Sequence, residues 1–301
     1  MTEIVLDKPT LVDNIRTQFK NLDKLKYQRS LQEFFDGDAF IGDNVFETCF
    51  KIRAGLPPLA YEVSGPYCAA SNEYATIGRI YERGELVFER NIKQQIQQRT
   101  AAMVWLFLSE LGHTPKKILM VGAGKLSLEI VKYLKHFIPS LNEIDYHSRA
   151  QHLEAFETPC AQIGVATHYQ GSLELSSYDT IIMATNTNVC LIDESDIEAM
   201  QPGAVIASLC TTSQTGEIAG SVYARDDVNV IFDYELTRSF TADMKAADKA
   251  GYLNNVSLLG DVLTDPEPQI HSQISSQKKN IWRITGTPMQ NIAVLDMLRS
   301  L

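Results

Sequence analysis

The chain has 301 residues, 45% of them hydrophobic, with 27 basic and 37 acidic side chains and a net charge of −10. That length fits two domains, or one elaborated domain around a sizeable core. The acidic balance argues against a nucleic-acid or anionic-membrane surface, either of which favours a basic face.

Five scattered cysteines without a CxxC pair fit a reducing cytoplasm better than a disulfide framework. The first twenty residues carry acidic side chains and no apolar h-region, so no signal peptide is expected. The most apolar helical stretch, Ala101 to Leu111, is too short to span a bilayer. The expectation is a soluble, cytoplasmic protein with no nucleic-acid and no membrane partner.

Taken in order, Leu11, Ile15, Phe19, Leu22 and Leu25, then Leu31, Phe34 and Phe35, recur at near-helical spacing and predict one or two helices ending at Asp36-Gly37-Asp38. Val45 to Ile52 reads as a strand, and Gly55-Leu56-Pro57-Pro58 as a break. Tyr74 to Glu89 reads as a hairpin turning at Glu82-Arg83-Gly84-Glu85. Asn91 to Gly112 predicts a long helix closed by its glycine. Strands then alternate with helices. Strands are expected at 118–121, 143–147, 164–169, 178–184, 204–209 and 228–232, and helical segments at 152–156, 189–200, 240–250 and 257–263. A short strand near Trp282 and a final amphipathic helix close the chain. That alternation implies a parallel sheet with helices on both faces, a Rossmann-type doubly wound α/β fold. The small sheet upstream adds an α+β domain.

The stretch KKILMVGAGKLSLEIVKYL, Lys116 to Leu134, is the most informative. A short apolar strand runs into Gly122-Ala123-Gly124 and then an amphipathic helix, the opening of a dinucleotide-binding βαβ unit. Gly122 suits the tight turn and Gly124 the close approach of a pyrophosphate. Lys125 and Leu126 begin the helix whose free N–H groups receive its charge, and Ser127 is the third small position. The same three elements also occur without a ligand. At the end of the second strand, His147-Ser148-Arg149 stands where an NAD-binding unit places an acidic residue, and Asp145 comes two places too early. Ser148 and Arg149 therefore favour NADP(H) over NAD(H), though NAD(H) also fits the loop and Arg149 also reads as a solvated charge. Thr185 and Asn186, after the fourth strand, are small polar residues expected to line the same cleft.

The run Gln98-Arg99-Thr100-Ala101-Ala102 just before the glycine loop resembles the ornithine cyclodeaminase/mu-crystallin family. So do the hairpin at Gly84-Glu85, the segment Leu259-Gly260-Asp261-Val262-Leu263 and the tail Trp282 to Asn291 with Gly286. The resemblance covers roughly residues 75 to 298. It implies a substrate-binding and dimerisation domain, 1–113 with 287–301, and a Rossmann domain, 114–286. It implies a homodimer, hydride transfer between a nicotinamide cofactor and a carbon–nitrogen bond of a small amino or imino acid, and Thr100 and Gly286 beside the cofactor. Family members grip the substrate carboxylate with cations. Arg99 matches one arginine, Lys51 the lysine, and Arg29 more loosely the other arginine.

The family's catalytic aspartate follows the fifth strand, where this chain reads LCTTSQTGE and its nearest match is Thr212. A threonine does not titrate near neutral pH and cannot act as general base. The resemblance thus implies a ketimine reductase or amino-acid dehydrogenase. The alternatives are a non-catalytic NADP(H)-binding protein of the mu-crystallin type and a true ornithine or lysine cyclodeaminase. No GxSxG elbow supports a hydrolase, and six histidines show no i, i+4 pairing, so no metal site is expected.

Overall fold

The structure, a computed structural model, describes residues 4–21, 25–36, 39–53, 56–68, 73–74, 76–148, 153–185, 187, 189–209, 216–239, 241–253, 256–264 and 277–301. The chain forms two compact units, Met1–Arg99 with Gly286–Leu301, and Thr100–Thr285. The division falls inside one long helix, between Arg99 and Thr100.

The first unit opens with α1 (Lys8–Lys20). Asp7 caps it by accepting the Thr10 N–H at 3.0 Å, and Leu11, Val12, Ile15 and Phe19 form its buried face. There the helical pattern stops. Residues 25–36, expected to continue as helix, form strand β1 (Leu25–Asp36) instead, paired antiparallel with β2 (Ala39–Arg53). Leu25, Tyr27, Leu31 and Phe35 also fall on one parity, and short apolar runs satisfy either period until a partner strand decides.

β3 (Leu56–Cys68) follows, then β4 (Glu73–Tyr74), β5 (Ile77–Glu82) and β6 (Glu85–Asn91). The sheet order is β1-β2-β3-β5-β6, with β4 beside β3. Pro57 and Pro58, expected as a break, lie in the first residues of β3, where the register with β2 shifts between Lys51 and Arg53. A bulge needs no ladder N–H from proline. The β5–β6 hairpin turns as expected, with positive φ at both Arg83 and Gly84. The closing helix (Pro288–Ser300) packs against α1, β2 and β5. At Gly78 on β5 a Cβ would stand 2.5 Å from the Leu295 side chain, which would have to shift to admit it.

The helix α2 (Lys93–Glu110) passes from the first unit into the second. In the second unit come β7 (Ile118–Val121), α3 (Lys125–Phe137), β8 (Glu143–His147), α4 (Leu153–Gln162), β9 (Ala166–Tyr169) and β10 (Thr180–Met183). Then follow α5 (Glu194–Ala199), β11 (Val205–Ser208), β12 (Val228–Phe232), α6 (Ala242–Lys249), β13 (Val256–Leu258), α7 (Leu259–Thr264) and β14 (Lys279–Arg283). Eight strands form one sheet in the order β13-β12-β14-β11-β10-β7-β8-β9, every pair parallel. β7, β10 and β11 are buried at every position, as parallel strands covered on both faces must be.

Two expected helices are shorter than their pattern. Helix 189–200 begins only at Glu194, because Asp193 and Asp196 form a reciprocal capping box, while Ile192 bridges Ile218 in extended form. Ser257 and Leu258, the first residues of the segment expected as helix, belong to β13. Conversely, α4 runs through Pro159 to Gln162, well past the turn expected at 152–156. Among the described residues no helix is long and apolar enough to cross a membrane.

Half-buried in the second unit, His113 packs against the core residue Trp282. His113 Nε2 lies 2.8 Å from Thr180 Oγ1, and its ring stands edge-on to Trp282, centroids 6.2 Å apart. Burial lowers its pKa below the usual 6.5. A proton therefore binds the unfolded chain more readily than the folded one. Stability from this group is full above the unfolded value and is lost as pH falls below it. Thermal unfolding between about pH 5 and 7.5 is expected to show Tm falling on the acid side, with a shallower fall in His113→Gln.

Candidate functional site

Three parallel strand ends meet at Gly122. Its φ is 100°, and a Cβ there would stand 2.4 Å from the Ala184 carbonyl oxygen at the end of β10. Its N–H donates to the His147 carbonyl at the end of β8, at 2.8 Å. Only glycine fits that position. Gly124 is the N-cap residue of α3 and has no side chain to cap it. A Cβ on Gly124 would meet nothing within 4 Å, and Gly124 and Lys125 are exposed. The first N–H groups of α3, those of Lys125 and Leu126 among them, thus begin at an open, uncapped helix start of the kind that takes a phosphate. Ser127 is fully buried, as close packing of helix on strand requires. These residues fit the pyrophosphate of a dinucleotide.

At the end of β8, His147 Nδ1 donates to the Gln170 carbonyl at 2.9 Å, and Ser148 follows, half-buried. Arg149 lies outside the described residues, as do Asn186 and Thr212. Asp145 is engaged elsewhere. Its carboxylate accepts the Tyr178 hydroxyl at 2.8 Å and lies 3.9 Å from Lys117 Nζ. Burial and that carboxylate push the Tyr178 hydroxyl up to about 12.

Behind the glycine loop lies a buried polar network that the sequence reading does not anticipate. Thr185, after β10, donates its hydroxyl to Glu217 Oε1. Ser208, the last residue of β11, donates to Glu217 Oε2 at 3.0 Å. Arg283, the last residue of β14, donates to Ser208 Oγ, and to Thr241 Oγ1 at 3.0 Å. It also lies 3.3 Å from an Asp243 oxygen. Tyr223 donates to Asp243 at 3.2 Å. Glu217 and the Arg283 side chain are wholly buried. Burial raises the Glu217 pKa, against the opposing pull of the Thr185 hydroxyl, Arg283 and Ser208. A Cβ on Gly216 would stand 2.0 Å from Asp243 Cβ, so the residues flanking 210–215 on both sides are anchored in this network. Glu217 sits in a polar run, TTSQTGEI, where a carboxylate reads as solvated. The apolar Ile218-Ala219 directly after it is the one local sign of burial.

In the first unit, the Arg99 guanidinium donates to Gln290 Oε1 at 2.6 Å and to the Thr287 carbonyl at 3.4 Å, and is buried. Gly286, with φ 83°, stands against it, since a Cβ there would lie 3.3 Å from both terminal guanidinium nitrogens. The structure thus brings Arg99 and Gly286 together. Thr100 follows on α2, half-buried. Lys51 is paired with Asp296 of the closing helix at 2.8 Å, and the same carboxylate accepts the Tyr61 hydroxyl at 2.6 Å. Lys51 and Arg99 are both tied to the closing helix, at positions six residues apart. Asp296, Tyr61 and Gln290 carry no motif that marks them in the sequence.

No family model matches the sequence, and no curated protein matches it. Solved structures do match. The Δ1-pyrroline-2-carboxylate reductase of Thermococcus litoralis, in complex with NADH and L-proline, is 12% identical with a TM-score of 0.81, covering 98% of this chain and 93% of that one. The iminosuccinate reductase of Paracoccus denitrificans, in complex with NAD+, is 18% identical with a TM-score of 0.78, over 98% and 92%. The probable ornithine cyclodeaminase of Bordetella pertussis Tohama I is 17% identical with a TM-score of 0.77, over 98% and 92%. This chain has the ornithine cyclodeaminase fold. The resemblance drawn from the sequence motifs is borne out at the level of the fold, and so is the Rossmann-type parallel sheet. In this cyclodeaminase fold, Gly122 and Thr185 stand side by side at the carboxyl ends of the strands, where doubly wound sheets bind their ligands.

Proposed function

We propose that this protein is a divergent member of the ornithine cyclodeaminase/mu-crystallin family and an NADP(H)-dependent oxidoreductase. It acts on the C–N bond of a small amino or imino acid, as a ketimine reductase or amino-acid dehydrogenase. The observation that carries this reading is the glycine loop. Gly122 is forced by backbone and space, whereas Gly124 opens onto room that folding itself leaves unused. The cofactor, when bound, supplies or takes a hydride. The chain's residues bind and orient it through Gly122, Gly124, Lys125, Leu126, Thr185 and Asn186, with Thr100 and Gly286 as further contacts. The reductase, iminosuccinate reductase and alanine dehydrogenase neighbours support the reaction class.

Preference for NADP(H) is supported by Ser148 and Arg149 at the end of β8 and by Asp145 being held by Tyr178. The neighbours' bound nucleotides are NADH, NAD+ and NAD, so that preference would set this chain apart. Arg99 and Lys51 are the proposed carboxylate grip, and Lys51 must then exchange Asp296 for substrate. The chain is further proposed to pair with a second copy through its first unit, whose edge strand β6 exposes Leu86 and Val87. Thr212 in place of an aspartate favours a second reading, a nucleotide-binding protein without turnover.

Titration with NADPH and NADH, followed by a panel of cyclic imino acids and of 2-oxo acids with ammonia or amines, tests both. Tighter binding of NADPH and its oxidation by an imino acid are expected. Binding without oxidation selects the second reading, and absence of binding to either nucleotide overturns both.

A further inference from the structure

The proposed chemistry leaves the buried Glu217 carboxylate unused. Glu217 is fixed from both sides of its own backbone, because its carbonyl accepts the Leu191 and Ile192 N–H groups at 2.8 and 3.0 Å, and Ile218 bridges Ile192. Its two carboxylate oxygens face two hydroxyls, Ser208 inside the sheet and Thr185 at the strand ends. Of these, Thr185 is the half-buried one, and its methyl lies 3.4 Å from the point where a Cβ on Gly122 would stand. Glu217 therefore reaches the glycine loop through a single hydroxyl.

A hydroxyl has one proton and two lone pairs. With Glu217 ionised, the Thr185 proton points inward to it. The Thr187 N–H, 3.3 Å away, takes one lone pair, and the outer side of Thr185 is then an acceptor only. With Glu217 neutral, the carboxyl proton is donated to Thr185 Oγ1, and the Thr185 proton is released toward the outside. Threonine becomes a donor. We infer that Glu217 is a positioning residue that sets whether Thr185 accepts from, or donates to, a nicotinamide nucleotide at the glycine loop. This rests on the nucleotide reading above and deepens it.

Among the described residues, the charged and titratable groups around Glu217 are Arg283 from β14, reaching it through Ser208, Asp243 from α6, and Tyr223 from the short 310 turn at 220–224. Arg283 favours the ionised carboxylate and Asp243 opposes it, while burial outweighs both and moves the titration upward from the ordinary carboxylate range. The nicotinamide carboxamide carries both an NH2 donor and a carbonyl acceptor, and we assign its NH2 to Thr185, so the accepting state of Thr185 is the binding state and affinity rises with pH.

The test uses NADH, whose lack of a 2′-phosphate removes a group that itself titrates near pH 6. Its affinity is measured by fluorescence titration from about pH 5.5 to 8.5 for the wild-type protein, Glu217→Gln, Thr185→Val and Thr185→Ser. Wild type and Thr185→Ser are expected to bind about tenfold more tightly at the alkaline end, roughly one good hydrogen bond. Glu217→Gln, which cannot ionise, and Thr185→Val, which has no hydroxyl, are expected to give flat profiles. A flat wild-type profile, or a wild-type slope surviving in either of these two variants, overturns the inference. Should Glu217→Gln fail to fold, Thr185→Val leaves the carboxylate in place and decides alone. Wild-type protein that binds neither NADH nor NADPH at any pH fails earlier, at the nucleotide reading.

Discussion

Arg283→Met is expected to destabilise the protein by about 3–5 kcal/mol, the cost of breaking a buried ion pair from one side. The guanidinium is wholly buried and serves three side chains at once, Ser208 of β11, Thr241 at the N-cap of α6 and Asp243 within it. Methionine fills much of the volume but leaves the Asp243 carboxylate buried with only hydroxyl donors, Thr241 and Tyr223, among its described partners. It also removes the cation that partly offsets the burial of Glu217. Urea unfolding would show the loss as a lowered midpoint at unchanged slope. Adding Asp243→Asn should recover part of it, because the orphaned charge is then gone. If the single variant costs less than about 1 kcal/mol, the network contributes little net stability.

Gly122→Ala is the second large effect. Its φ of 100° is closed to side chains, and the new Cβ would collide with the Ala184 carbonyl, which is backbone and has little room to yield. Strain of this kind costs about 1–3 kcal/mol for the dihedral alone, and the collision adds to it. Gly124→Ala separates folding from binding. A Cβ at Gly124 touches nothing within 4 Å, so stability is expected to stay within about 1 kcal/mol of wild type. Nucleotide affinity should nonetheless fall, since the methyl occupies space the pyrophosphate needs. Thermal unfolding paired with NADPH titration checks both variants. Equal affinity in Gly124→Ala and wild type would show that the pyrophosphate does not lie against this glycine.

The second unit was largely legible in the chain. Ile118 to Val121 and Val228 to Phe232 match their strands residue for residue, the first as an unbroken buried run and the second interrupted only at the partly exposed Asn229. β1 was not legible. Its apolar residues satisfy two periods, and pairing with β2, which no local window contains, chose between them. The network at Glu217 was hidden for a related reason. Thr185, Ser208, Glu217 and Arg283 span about a hundred positions of sequence and come together only because their strands end at the same edge of one sheet. Lys51 reads as a carboxylate grip by its type and resemblance, but nothing in its neighbourhood announces Asp296, 245 residues away.

The placement of β14 has a bearing on how the chain is made. This strand, Lys279–Arg283, is paired on both sides, to β11 and to β12, although both precede it by dozens of residues. Until it emerges from the ribosome, β11 and β12 each present an unpaired interior edge, the kind of template that invites wrong partners. The first unit waits as well, because its closing helix follows directly. Neither unit can be completed in the order of synthesis. Both are finished by residues 279–300, so a chain lacking that stretch would forfeit both units together.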